Sequence, residues 1–178
     1  MNTETGGAGN RQTTCFACCL RKGEIIMIML ILSVVVIVAD FIFKQLAVAY
    51  LKDGEVYTFL GGLVRLEYVE NRGMAFGMLQ NFRWFFIIFT LAIIFGAVIY
   101  VIKTKPKSVF FKIALSLIIG GGIGNLIDRI IMGYVVDYIQ LSFFNPVCNF
   151  ADYCITIGTA LLLIYIVFFT QDETKQKE

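Results

Sequence analysis

Four long apolar runs constrain this chain more than any other feature. Ile25–Ala49 is broken only by Asp40 and Lys44, and Val109–Ile127 only by Lys112, while Trp84–Ile102 and Tyr153–Thr170 carry no charge. A helix rising about 1.5 Å per residue crosses about 30 Å of hydrocarbon in roughly 20 residues, so each run fits one crossing. Of the 178 residues, 58% are hydrophobic and 16% charged, against about 45–50% and 25% in soluble domains. A water-exposed domain of this size cannot hide that much apolar surface, and such a composition also excludes disorder over most of the chain. The net charge of +2 is too balanced for a general nucleic-acid binder, so no nucleic-acid partner is expected. Histidine is absent, which removes Ser-His-Asp and Cys-His catalysis and the usual zinc ligand sets. Chemistry here must rest on carboxylates, lysine, tyrosine, serine, threonine or cysteine.

Basic residues set the orientation. Both termini and the loop between the second and third runs hold nine, from Arg11, Arg21 and Lys22 to Lys175 and Lys177; the opposite side holds five, Lys52, Arg65, Arg72, Arg83 and Arg129. Both termini are therefore expected in the cytoplasm, with the loops after the first and third crossings facing outward. The first outward loop, about 35 residues, is too long for a simple connector. In its LVRLEYVEN stretch, Leu66 and Tyr68 alternate with Arg65 and Glu67, the period of a strand with one apolar face. The expected architecture is all-α integral membrane: four transmembrane helices with a small extracytoplasmic β-sheet and a surface loop or helix.

Residues 1–24 are polar and rich in Gly and Thr, and are read as a disordered cytoplasmic tail. Residues 25–170 form the membrane domain and 171–178 a short C-terminal tail. Met27 and Met29 stand just before the first apolar run, so either is a candidate start. The tail carries Cys15, Cys18 and Cys19, whose role stays open between incidental thiols, juxtamembrane acylation and metal binding. Cys148 and Cys154 lie on the outward side, and sequence alone does not pair them.

Ionisable groups in apolar runs are costly and mark function or packing. Asp40 and Lys44, at i and i+4, share a helix face and can pair. In GGGIGNLIDR, Gly120 and Gly124 allow another helix to approach closely. Asn125 and Asp128 share a face three residues apart, and Asp128 and Arg129 are placed to bind backbone of the outward loops. Asp40, Lys44 and Asp128 are read as a structural polar network.

Asp137 and Asp152 stand apart. Counting along the third helix from Val109 carries Asp137 to the outer interface, and Asp152 precedes the fourth run at that same depth. Two carboxyls in a dry site cannot both ionise cheaply and tend to share a proton. One then activates water while the other polarises a carbonyl, with no metal or cofactor. The bland alternative makes Asp152 a helix cap or pairs the acids with Arg72 or Arg129. Rival classes are a proton-coupled transporter, which usually gathers its polar groups at the midplane, and a non-catalytic scaffold.

At these positions the sequence resembles the lipoprotein signal peptidase family, or signal peptidase II. The resemblance runs from about Met27 to Phe169 through ADFIFKQ, YVENRGMAFGML, GGGIGNLIDR, YVVDYI and NFADYCITIG, in family order. It implies an aspartyl endopeptidase of the bacterial inner membrane, with four membrane helices, a small β-cradle and a surface helix. Its substrates are diacylglyceryl-modified prolipoproteins, cut just before the lipidated cysteine. The resemblance puts the catalytic pair at Asp137 and Asp152. It carries other motif positions onto Asp40, Lys44, Asn71, Gly73, Ala75, Gly121, Asn125, Asp128, Arg129, Asn149 and Ala151. Asn71 and Asn149 are expected to hydrogen-bond an extended peptide, with Gly73, Asn125, Arg129 and Ala151 supporting the site. Membrane lipid is an implied partner, and globomycin-like cyclic peptides are the implied inhibitors.

Overall fold

A computed structural model describes residues 9–73, 82–104, 106 and 108–175, with side chains from residue 26 to 168 within those ranges. The chain runs α1 (Gly9–Leu51), β1 (Tyr57–Phe59), a single 3-10 turn, β2 (Val64–Asn71), α2 (Arg83–Thr104), α3 (Val109–Ile131), β3 (Val135–Leu141), β4 (Phe144–Cys148) and α4 (Phe150–Lys175). Among the described residues, four stretches are long and apolar enough to cross a membrane: Ile26–Leu51, Arg83–Thr104, Val109–Ile131 and Phe150–Phe168. They coincide with the four runs. Burial is inverted relative to a soluble protein. Leu30, Val35, Ile88 and Phe95 are exposed while Asp40, Lys44, Asp137 and Asn149 are buried, the arrangement expected when hydrocarbon is the solvent.

Helix α3 is the central post and touches the other three helices. Its glycines explain why. A Cβ on Gly120 would stand 2.8 Å from Cβ of Val36 on α1, and one on Gly121 would stand 2.5 Å from the Ala151 carbonyl on α4. Only a residue without a side chain admits backbones this close. Ser108 caps the start of α3 by accepting from the Phe111 N–H, and Gly133, at φ +84°, turns the chain from α3 into β3.

The four strands form one antiparallel sheet in the order β1-β2-β3-β4. The expected strand at LVRLEYVEN is β2, and its Leu66 and Tyr68 pack on a cluster of Ala47, Leu51, Val136 and Tyr138. The apolar face of the sheet thus sits on the end of α1. The hairpin β3–β4 is not expected from the sequence, where the depth of Asp137 is counted at a helical rise from Val109. The helix instead ends at Ile131 and Asp137 lies on a strand. The β-branched run Val135–Val136 favours extended backbone.

At the N-terminus, α1 starts at Gly9, upstream of the expected boundary at Ile25, and α4 continues to Lys175. A helix already nucleated by a long apolar stretch extends at low cost. The cysteine side chains of the tail lie outside the described residues. So does the segment 74–81, with Ala75 and the expected surface helix.

Candidate active site

The site is built where the end of β2, the middle of β3 and the start of α4 meet the polar faces of α1 and α3. In the β2–β3 register Val69 opposes Asp137 and Asn71 opposes Val135. Asn71 is therefore a diagonal neighbour of Asp137 on one face of the sheet. Its Nδ2 donates to Asp137 Oδ2 at 2.7 Å, and its Oδ1 accepts the Gly73 N–H at 2.9 Å. The other Asp137 oxygen, Oδ1, accepts from Asn149 Nδ2 at 2.6 Å.

Asn149, just before α4, caps that helix. Its Oδ1 accepts the Asp152 N–H at 2.9 Å while Asp152 Oδ2 accepts the Asn149 N–H at 3.2 Å. This reciprocal pair is a capping box with an acid at the third helical position. Asp152 is thus the reciprocal member and Asn149 the cap, which corrects the reading of Asp152 as cap. The remaining Asp152 oxygen, Oδ1, accepts from Asn125 Nδ2 at 2.7 Å. All four carboxylate oxygens of Asp137 and Asp152 therefore meet a neutral donor, and the two acids are joined through Asn149.

Behind this layer stands a charged one. Lys44 Nζ lies 2.7 Å from Asp40 Oδ2 and 2.9 Å from Asp128 Oδ2, and donates to Asn125 Oδ1 at 3.0 Å. These three acceptors match the three protons of an ammonium. Asn125 Oδ1 also accepts from Asn149 Nδ2 at 3.0 Å. Asp40 Oδ1 accepts the Ala151 N–H at 3.0 Å and Asp128 Oδ2 the Val136 N–H at 3.3 Å. The Asp40–Lys44 pair expected from the i, i+4 spacing is present, and Asp128 does bind backbone of the segment that follows α3. Arg129 Nη1 donates to the Asn125 carbonyl within α3, and its guanidinium lies 5.0 Å from the Phe86 ring centre; among the described residues it binds no loop backbone. Arg72 pairs with Glu70 at 3.2 Å rather than with either acid.

Asp137 is 1% exposed, and that burial, reinforced by the neighbouring Asp152 charge, pushes its carboxyl up to about 7. The asparagine donors oppose this without cancelling it. A cavity of about 550 Å³ opens in front of Asp152. Asn71, Gly73, Asn125 and Arg129 line its polar side, and Phe86, Phe143, Val147 and Ile155 its apolar side. Asp152 borders this cavity, and Asp137 is not among its lining residues. Cys148 also borders the cavity, but burial raises its thiol to about 11, which keeps it protonated and poorly nucleophilic. Cys148 and Cys154 are both free.

The structure gathers every expected site residue it describes: Asn71, Gly73, Asn125, Arg129, Asn149, Ala151, Asp40, Lys44 and Asp128 surround Asp137 and Asp152. Both Nδ2 protons of Asn149 are committed, to Asn125 and Asp137, whereas Asn71 spends one of its two Nδ2 protons on Asp137 and lines the cavity. Phe86 escaped the sequence reading because one apolar residue in an uncharged run carries no signal of what lies above it.

Comparison with known proteins agrees with this geometry. Residues 32–168 match the family described as signal peptidase (SPase) II. The lipoprotein signal peptidase of Anoxybacillus flavithermus is 39% identical over 156 residues, which cover 86% of this chain and 90% of that protein. That of Streptococcus pyogenes serotype M1 is 43% identical over 137 residues, covering 75% and 90%. Two bacterial membrane enzymes solved by the in meso method, at 2.3 Å and 1.9 Å resolution, superpose with TM-scores of 0.76 and 0.73 at 30% and 31% identity. The first covers 86% of this chain and 93% of its own, the second 82% and 96%. With most of its length matched and its acids, amides and lysine drawn into one buried constellation, the chain belongs to the signal peptidase II family of lipoprotein signal peptidases.

Proposed function

We propose that this protein removes the signal peptide from diacylglyceryl-modified prolipoproteins, with Asp137 and Asp152 as its catalytic carboxyls. The observation that carries the assignment is the shared anchor: Asn149 bonds to both acids, through its side chain and its backbone. Neutral amide donors fix the carboxyls without supplying a counter-charge, so the pair keeps one proton between them.

The ionised carboxyl takes a proton from a water molecule, and the hydroxide attacks the carbonyl carbon of the residue before the lipidated cysteine. The protonated carboxyl gives its proton to the carbonyl oxygen. In the reverse sense, a carboxyl then protonates the leaving amide nitrogen as the C–N bond breaks. Lys44 acts at one remove, holding Asn125 against Asp152.

The reading places both termini in the cytoplasm and the sheet and its acids at the outer face of the bacterial inner membrane. The excess of basic residues at the termini and the 102–110 loop supports it, as does the even number of spans. Substrate acyl chains then stay in the leaflet, in the apolar part of the cavity beside Phe86 and Ile155. A globomycin-like cyclic peptide would compete for the same cavity. The test is direct. Purified protein is incubated with a lipidated prolipoprotein, and cleavage is followed as a mobility shift on a gel. Cleavage that globomycin blocks is expected. No cleavage, with the unlipidated and lipidated precursors equally inert, would overturn the assignment.

A further inference from the structure

A second polar cavity, of about 380 Å³, lies on the same rim, lined by Arg72, Arg83, Trp84, Met132 and Gly133. It sits where α2 begins and α3 ends, the level at which an exposed tryptophan such as Trp84 marks a membrane–water interface. Arg83 is held rather than loose. Its Nη2 donates to the Ile130 carbonyl at 2.8 Å, and its guanidinium lies 5.5 Å from the Trp84 ring centre. Gly133 leaves room beside it, since a Cβ there would meet Arg83 Nη1 at 3.5 Å. Yet Arg83 Nε is buried with no hydrogen-bond partner, and Arg83 has no carboxylate partner among the described residues. The adjoining segment 74–81, MAFGMLQN, has no acidic residue to supply one. Arg72, across the cavity, lies 5.7 Å from the Tyr134 ring centre and, among the described residues, pairs with Glu70 alone.

Two guanidiniums that line one cavity, each beside an aromatic ring and one without a carboxylate partner among the described residues, form a fork suited to phosphate oxygens. We propose that this cavity binds the phosphate of an anionic phospholipid headgroup from the leaflet that surrounds the sheet. A phosphate dianion from solution shares that chemistry, but only a lipid brings it to this depth with its acyl chains along the exposed apolar face of α2. The bound headgroup ties the start of α2 to Arg72, and through Arg72 to the end of β2.

The test uses the full chain in detergent, followed by native mass spectrometry. It compares phosphatidylglycerol, phosphatidylcholine of the same acyl chains, and inorganic phosphate. Phosphatidylglycerol should be retained over phosphatidylcholine. Arg83→Gln and Arg72→Gln should each reduce that preference about fivefold, the scale of one basic residue at an anionic membrane surface. Inorganic phosphate at matched concentration should not displace the lipid. Equal retention of the two lipids would overturn the proposal, as would displacement by inorganic phosphate. Should Arg83→Gln lower the melting temperature, Arg72→Gln on the exposed side of the cavity becomes the deciding variant, and an unchanged preference there rejects the site.

Discussion

The side-chain nitrogen of Asn149 lies 2.6 Å from Asp137 Oδ1, while the backbone N–H of the same residue donates to Asp152. One residue therefore sets the position of both carboxyls and also starts α4. Asn149→Ala should lower kcat by about a hundredfold, the scale for losing one preorganised donor. It should cost only about 1 kcal/mol of stability, the usual effect of a lost N-cap. Steady-state cleavage and thermal melting in detergent, measured together, check this split.

The acidity of Asp137 predicts a pH profile. Its folded value of about 7 lies above the usual unfolded value of about 3.9. The fold therefore holds this proton more tightly than the unfolded chain does. That contribution is complete below about pH 4 and is lost as pH rises through about 7, where it levels off. Melting temperature should follow this slope, and Asp137→Asn should flatten it. Activity should fall on the alkaline side with a midpoint near 7, as the pair loses its shared proton. A rate that keeps rising through pH 8 would contradict the assignment.

Lys44 faces two carboxylates and Asn125 at 2.7–3.0 Å from within a membrane span. Lys44→Met leaves Asp40 and Asp128 buried without their counter-charge. Breaking a buried pair from one side costs about 3–5 kcal/mol, so the variant should melt well below the parent in detergent. Asp40→Asn should also melt lower, because it weakens the Lys44 pair and the Ala151 contact together. An unchanged melting temperature with lost activity would instead give Asp40 a substrate role.

Gly124 tests the close approach of α3 to α1. A Cβ there would stand 2.5 Å from Asp40 Oδ2. Gly124→Ala should destabilise by about 1–3 kcal/mol, as overpacking does. A neutral result would mean that the two helices can separate freely.

The spans were legible because hydrocarbon demands a long uninterrupted apolar run, and the Asp40–Lys44 pair because i, i+4 spacing fixes a shared face. The strand β2 was legible from the alternation of Arg65, Leu66, Glu67 and Tyr68. The motifs quoted for the family resemblance carried the three asparagines that hydrogen-bond the two acids, Asn71, Asn125 and Asn149, but not Phe86 or Phe143 of the cavity wall. What periodicity missed was the hairpin β3–β4. Val135–Leu141 shows no strict alternation, with apolar pairs at Val135–Val136 and Tyr138–Ile139, so periodicity alone does not mark it as a strand. Long-range pairing with β2 makes it one, and local sequence does not encode a partner 66 residues away, as between Asn71 and Asp137. The bonds from Asn71 and Asn149 to Asp137 were hidden for the same reason, since an amide's chemistry does not name its partner.

The most direct measurement is cleavage of a lipidated prolipoprotein by Asp137→Asn and by Asp152→Asn, each checked for parental melting behaviour or better. Both changes keep shape and remove an ionisable group. Each rate should fall by at least about a thousandfold, within the range for loss of a positioned acid or base. A variant of either kind that still cuts within about tenfold of the parent, far inside that range, would contradict the two-carboxyl account.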